Sequence, residues 1–236
     1  EIAAELQDTL LPIPQLPPSS RWDLFVQRKS AREVGGDYVD ACIGPRGELY
    51  LVIIDVMGKG VGAAFLAAML RTALHIHVKF SEDLHSLIVS LNATLCEQLG
   101  DLTMFATCAI ACIESDLKSM HVVNAGHCPV LLMDSADKLI SMDPSGPPIG
   151  LFKDAAYTVD SLALHGGEKL LMVTDGLYEW PFEQGIWGWE ALLKFLNPGY
   201  FDQPKRLWDD LQKRIRLGHE GADPSDDQTL LAWRIH

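Results

Sequence analysis

The sequence predicts an α+β domain of antiparallel sheets covered by helices, and three observations predict it. Short apolar runs separated by turn residues fall in hairpin-like clusters. Helical periodicities are grouped between those clusters instead of alternating with single strands. Of the 236 residues, 48% are hydrophobic, enough to bury a core.

Residues 1–11 read as a helix because Ile2, Leu6 and Leu10 recur every four positions, and Pro12, Pro14, Pro17 and Pro18 end it. That stripe suits either an ordinary packing helix or a linker arriving from a sensor or dimerisation module. We therefore divide the chain into a linker helix and Pro-rich segment, 1–18, and a folded domain, 19–236. Strands follow at 24–31, 38–43 and 48–55, the last containing the apolar run from Leu49 to Ile54 between Gly47 and Gly58. A helix over 61–78 sets Val61, Phe65, Ala68, Met69, Thr72 and Ile76 on one face, and a second over 83–99 does so with Leu84, Leu87, Leu91 and Leu95. Strands resume at 104–114, 118–124, 129–133, 138–141, 157–164 and 168–174. Helices at 188–196 and 203–217 lead to a last strand, 229–235.

Composition narrows the function classes. With 19 Lys+Arg against 32 Asp+Glu the formal charge is −13, so binding nucleic acid through a basic surface is not expected. The longest apolar stretch, Val61 to Val78, is broken by Arg71, His75 and His77, and no membrane span is expected. Five cysteines, an odd number without CxxC pairs, fit a reducing cytoplasm.

The chemistry is concentrated in acids at strand ends. Asp37 precedes the 38–43 strand, Asp55 closes the 48–55 strand, Asp175 follows the 168–174 strand, and Asp226 and Asp227 precede the last. In an antiparallel sheet the exit of one strand lies beside the start of its neighbour, so these carboxylates can meet at one sheet edge. Like charges that close call for a cation, and oxygen-only donors favour Mg²⁺ or Mn²⁺. Each acid has a plainer reading: Asp175-Gly176 as a turn, and Glu220, Asp223, Asp226 and Asp227 as a solvated loop. Asp55 resists it, because it ends an almost wholly apolar strand. Glycines at Gly35, Gly36, Gly58, Gly60, Gly62 and Gly176 suit close backbone approach to a ligand.

Six segments in order carry a resemblance: Val34-Gly35-Gly36-Asp37-Tyr38, Asp55 to Gly60, Asn124-Ala125-Gly126-His127, Gly146 to Gly150, Thr174-Asp175-Gly176 and Asp226 to Thr229. With Leu6-Gln7 and Leu10-Leu11-Pro12, the chain resembles, over essentially its whole length, the metal-dependent protein phosphatases (protein phosphatase 2C-like), in their bacterial SpoIIE-like branch. The resemblance implies two stacked antiparallel β-sheets flanked by helices on both outer faces. It also implies two Mn²⁺ or Mg²⁺ ions, and hydrolysis of phosphoserine or phosphothreonine in a protein. Carried over by position, Asp55 would bridge both metals, the Val56 carbonyl would bind one, Asp175 and Asp226 would complete the other, and Asp37 would hold a second ion or its water. Asp227 is the less favoured of the adjacent pair. Where many members have a histidine in the turn after the bridging aspartate, this chain has Met57 and Lys59. Lys59 is then a solvated turn residue, an anchor for a phosphate oxygen, or a proton donor. His127, in the turn after Asn124, suits either a structural hydrogen-bonding role or, with Asn124, a place behind the metal ligands, where Gly58 and Gly176 also lie. Trp180, Trp187 and Trp189 suit either a substrate-facing flap or packing. The branch implies an output domain of a cytoplasmic signalling protein, acting on a phosphorylated anti-sigma-factor antagonist. The first helix, read as a linker, is where an upstream sensor or receiver domain would join, and it offers a contact for a dimer.

Two other readings remain. Gly58 to Ala63 fits GxGxxA of a nucleotide-binding turn, although the next element is a second helix and no Gly-Lys-Ser/Thr occurs. A phosphoprotein-binding module of the same fold with little turnover is the other, against which the complete set of acids argues.

Overall fold

The computed structural model describes residues 2–100, 102–182, 185–218 and 225–236. In chain order its elements are α1 (Ile2–Leu10), β1 (Trp22–Lys29), β2 (Asp37–Ile43), β3 (Leu49–Val56), α2 (Val61–Phe80), α3 (Leu84–Leu99), β4 (Ala106–Ile113), β5 (Ser119–Ala125), β6 (Val130–Met133), β7 (Leu139–Met142), β8 (Val159–Ala163), β9 (Lys169–Val173), β10 (Trp180–Phe182), β11 (Gly185–Trp187), α4 (Trp189–Phe195), α5 (Pro198–Asp202), α6 (Pro204–Gly218) and β12 (Gln228–Ile235). Two five-stranded sheets, ordered β1-β12-β9-β6-β7 and β2-β3-β4-β5-β8, are antiparallel throughout, and β10 and β11 make a separate hairpin. The expected α-β-β-α sandwich is what forms.

Strict alternation along the strands builds three apolar layers. In β3, Leu51 and Ile53 face the opposite sheet, where they meet Leu170, Met172, Leu231 and Trp233, while Val52 and Ile54 face α2 and α3. Both sheets are covered on both faces, which is why β3 reads as a continuous apolar run rather than an alternating one. Outside the other sheet, Leu171, Val173, Leu230 and Ala232 pack under Leu207, Leu211 and Ile215 of α6. Each fully buried aliphatic side chain here stabilises the fold by ~1.5–3 kcal/mol.

The α2 reading needs correction. Val61, Phe65 and Ile76, assigned to one packing face, are 54%, 61% and 50% exposed; the buried face is Ala63, Leu66, Ala67, Leu70, Ala73, Leu74 and Val78. The helix is apolar nearly all round, so periodicity alone does not choose a side, and the small residues let it lie close to the sheet and α3. By length and composition α2 is long and apolar enough to cross a membrane; here one face of it packs in the domain. In α3 the expected Leu84, Leu87, Leu91 and Leu95 are buried, and Asp83 caps the helix by accepting from Ser86 N–H at 2.7 Å. β3 and β4 are joined through two helices yet run antiparallel, so the strand–helix–parallel-strand unit of a nucleotide-binding turn is absent.

Candidate metal centre

The period of two fixes where the acids stand. Asp37 continues the series of Val39 and Ala41, and Asp55 that of Leu51 and Ile53, both facing the gap between the sheets. On the opposite sheet Thr174 follows Leu170 and Met172, and Thr229 precedes Leu231 and Trp233. Four polar residues therefore occupy one mouth of the inter-sheet layer. Asp37 lies directly opposite Asp55 in the β2–β3 register, Asp175 opens a short 3-10 turn after β9, and Asp226 and Asp227 lead into β12, the neighbour of β9.

Asp37 is buried, and one of its oxygens accepts two hydroxyl hydrogen bonds across the sandwich, from Thr174 Oγ1 (2.8 Å) and Thr229 Oγ1 (2.6 Å). Burial, then the charge of Asp55, pushes its pKa well above the carboxylate range against the pull of those hydroxyls. Asp55 is raised to about 7, by burial first and then by Asp175, Asp226 and Asp227. Asp175 is raised to about 6, by burial and then by Asp226 and Glu179. Lys59 is the group that lowers both. The donors are thus oxygens whose charge is poorly compensated, the chemistry of a hard divalent cation. Among the described residues no three His, Cys, Asp or Glu side chains surround one point at ligand distance.

The adjacent aspartates have different partners. Asp227 is buried with both oxygens committed to backbone donors, Ala31 N–H at 2.8 Å and Gly36 N–H at 2.7 Å. Asp226 is 42% exposed and its Oδ2 lies 2.9 Å from Lys59 Nζ, which also donates to the Ser225 carbonyl. Glu220 and Asp223 lie outside the described residues. Three of the glycines beside the acids, Gly35, Gly36 and Gly176, lie against protein atoms. A Cβ on Gly35 would meet Asp227 Oδ2 at 2.1 Å, one on Gly36 the Val56 carbonyl oxygen at 2.8 Å, and one on Gly176 the Asp227 carbonyl oxygen at 2.0 Å. Gly58 and Gly60 have open space but φ of +94° and +83°, which favours glycine.

His127 bridges the sheets beneath the acids. Its Nε2–H donates to the Val173 carbonyl at 3.0 Å, so Nδ1 accepts from Thr107 Oγ1 at 2.7 Å, and Thr107 is the register partner of Asp55. Burial holds its pKa down at about 4, so it is a neutral strut. Asn124 fixes the same turn, accepting from His127 N–H and donating to the Cys128 and Met142 carbonyls. Of the tryptophans, Trp180 and Trp187 are buried and stacked with centroids 5.1 Å apart, and Trp189 meets Tyr178 edge-on at 5.2 Å. They are packing residues of the layer over the β9 sheet.

Residues that carry no chemistry of their own hold this mouth together, and sequence reasoning assigned them no role. Thr174 and Thr229 are two. Gln7 of α1 is buried and clasps Gly35 at both backbone groups, donating to its carbonyl (2.8 Å) and accepting from its N–H (3.1 Å). Asp40 on β2 is buried and accepts from Tyr38 Oη and from His75 of α2 at 2.7 Å, tying α2 to the strand that starts with Asp37.

Residues 45–236 match the family described as Stage II sporulation protein E (SpoIIE). The chain belongs to the SpoIIE family. As a SpoIIE-family domain it is 28% identical over 261 residues to Protein IcfG of Synechocystis, covering 98% of this chain and 40% of that protein. It is 27% identical over 239 residues to the phosphoserine phosphatase RsbU of Bacillus subtilis, covering 99% of this chain and 69% of RsbU. Its fold matches the SiaA-PP2C domain of Pseudomonas aeruginosa with a TM-score of 0.77 and 16% identity, over 100% of this chain and 95% of that one. The chain thus spans about two fifths of the length of IcfG.

Proposed function

We propose that this SpoIIE-family domain is a metal-dependent phosphatase acting on phosphoserine or phosphothreonine in a protein. The observation that carries the reading is that Asp37, Asp55, Asp175 and Asp226, from four separate segments, stand at one mouth of the sandwich, where burial and then neighbouring carboxylates raise the pKa values of Asp37, Asp55 and Asp175. Asp55, Asp175, Asp226 and the Val56 carbonyl would hold Mn²⁺ or Mg²⁺, and Asp37 a second ion; Asp227, bound to backbone on both oxygens, is the less suited neighbour. Bound there, the ions would supply Lewis-acid activation of water and neutralise charge on a phosphoryl group.

The chain's own residues set the frame. Thr174 and Thr229 orient Asp37, and His127, neutral and bonded at both nitrogens, locks β4 to β9 without taking part in proton transfer. Lys59 is engaged with the Asp226 loop, which argues against a free proton donor for the departing serine oxygen. Similarity to RsbU, a phosphoserine phosphatase, supports phosphoserine as the group attacked; the resemblance to the SpoIIE-like branch extends this to a phosphorylated anti-sigma-factor antagonist and a cytoplasmic signalling setting. The exposed Ile2, Leu6 and Leu10 of α1 suit contact with an upstream domain or a second copy.

The test is hydrolysis of para-nitrophenyl phosphate and of a phosphoserine peptide with Mn²⁺, with EDTA, and by Asp55→Asn and Asp175→Asn. EDTA and either substitution should lower the rate by about a hundredfold or more. Turnover indifferent to all three would overturn the metal reading. An inert protein that still retains phosphoprotein would support the binding-module alternative.

A further inference from the structure

Lys59 sits between two glycines at positive φ, so the chain reverses around it and its side chain spans to a loop 166 positions further along the sequence. There its ammonium donates to the Ser225 carbonyl and pairs with Asp226 Oδ2 at 2.9 Å. It is also the cation that offsets the charges of Asp55 and Asp175. We infer that Lys59 is a resident cation of the carboxylate mouth, which pins Asp226 to the glycine turn and competes with a divalent ion for that carboxylate; the inference rests on the metal reading above.

Two effects of Lys59 on metal affinity oppose each other. Holding Asp226 in place removes some of the disorder a metal would otherwise have to quench. Against that, a fixed single positive charge beside Asp226 repels a doubly charged ion bound to the same carboxylate, and Oδ2 must be shared or released. A +1/+2 pair a few ångströms apart repels twice as strongly as a simple ion pair attracts, whereas ordering one half-exposed aspartate side chain is a small gain. Competition wins. Solvent limits its size: the Lys59 and Asp226 side chains are 37% and 42% exposed, and a pair so exposed changes an equilibrium by up to about fivefold. Lys59 then acts as a positioning residue that sets the metal concentration at which the site fills.

The experiment is calorimetric titration of Mn²⁺ into the wild-type chain, Lys59→Met and Lys59→Arg, without phosphate ester, at one pH and ionic strength. Lys59→Met should bind Mn²⁺ about threefold to fivefold more tightly, and Lys59→Arg, which keeps the charge, should match wild type. In raised salt the gap between wild type and Lys59→Met should narrow. Unchanged or weaker binding by Lys59→Met, or tighter binding by Lys59→Arg as well, overturns the role of Lys59 while leaving the metal centre standing. No Mn²⁺ uptake by wild type overturns the metal centre and this inference with it.

Discussion

Replacing Asp55 by Asn should abolish hydrolysis and yet stabilise the fold when divalent ions are chelated. Folding carries this carboxyl from its ordinary 3.8 to about 7, mainly by burial and then by the charges of Asp175, Asp226 and Asp227. At ~1.4 kcal/mol per pKa unit, that amounts to ~4 kcal/mol against the ionised form as an upper bound. Asp55 keeps some solvent contact and shares its charge with neighbours that relax, so about half, ~2 kcal/mol, is the working figure. The sign follows from the direction of the shift. A group whose folded pKa is raised contributes stability that is complete below pH 3.8 and is lost as pH rises to 7, so the advantage of the amide should be near zero at pH 4, grow through pH 5–7 and level off above. For a chain of 236 residues, ~2 kcal/mol corresponds to about 4–8 °C in Tm. The assay is differential scanning calorimetry of both proteins in EDTA from pH 4 to 8.5, plotted as the difference between them. Added Mn²⁺ should reverse the order, because ligand linkage stabilises only the chain that binds the ion. An Asp55→Asn protein that melts below wild type in EDTA at pH 8 would refute the electrostatic account, whatever its activity.

Two further outcomes separate residues that look alike in the sequence. Asp227→Ala leaves the Ala31 and Gly36 N–H groups without their acceptor and should cost ~2–4 kcal/mol in urea unfolding, whereas Asp226→Asn should stay within about 1 kcal/mol of wild type in EDTA and lose Mn²⁺ affinity instead. His127, depressed to about 4, binds fewer protons folded than unfolded, so it drains up to ~3 kcal/mol of stability as pH falls from 6.5 towards 4. In His127→Gln that acid limb should flatten, and an unchanged slope in pH-dependent urea unfolding would dismiss His127 as its source.

Most of the architecture was legible because the strands are long and the apolar pattern is strong. β3, β4 and β12 announce themselves through the apolar runs Leu49 to Ile54, Cys108 to Ile113 and Leu230 to Trp233, and α3 through its leucine stripe. What escaped is short or ambiguous. The β10–β11 hairpin has three-residue strands, one containing Pro181, and α5 is a single turn started by Pro198, so neither is long enough for a period to register. The buried side of α2 was hidden by apolar residues all round. At the site, acids at strand ends were visible, but their partners were not: Thr174 and Thr229 reach Asp37 from 137 and 192 positions away, and nothing local marks which of Asp226 and Asp227 meets backbone. Of the glycines whose spacing suggested a ligand, Gly35 and Gly176 make room for Asp227, while Gly58, Gly60 and Gly62 face open space.

Register is the deeper link between fold and chemistry. Asp55 faces the inter-sheet mouth only because Leu51 and Ile53 before it face the inter-sheet core; a slip of one residue in β3 would send Asp55 towards α2 and Ile54 into the mouth. The same parity places Asp37 after the turn at Gly36, Thr107 opposite Asp55, and Thr174 and Thr229 on the facing sheet. Burial of some twenty apolar side chains between the sheets therefore aligns the polar residues at the end, without any of those polar contacts having to drive folding. That order of causes explains how the domain tolerates carboxylates whose charges oppose one another: the core is stable enough to force them together. It also explains why the cheapest relief is local, a lysine on a glycine turn reaching across to Asp226, instead of a repacked sheet.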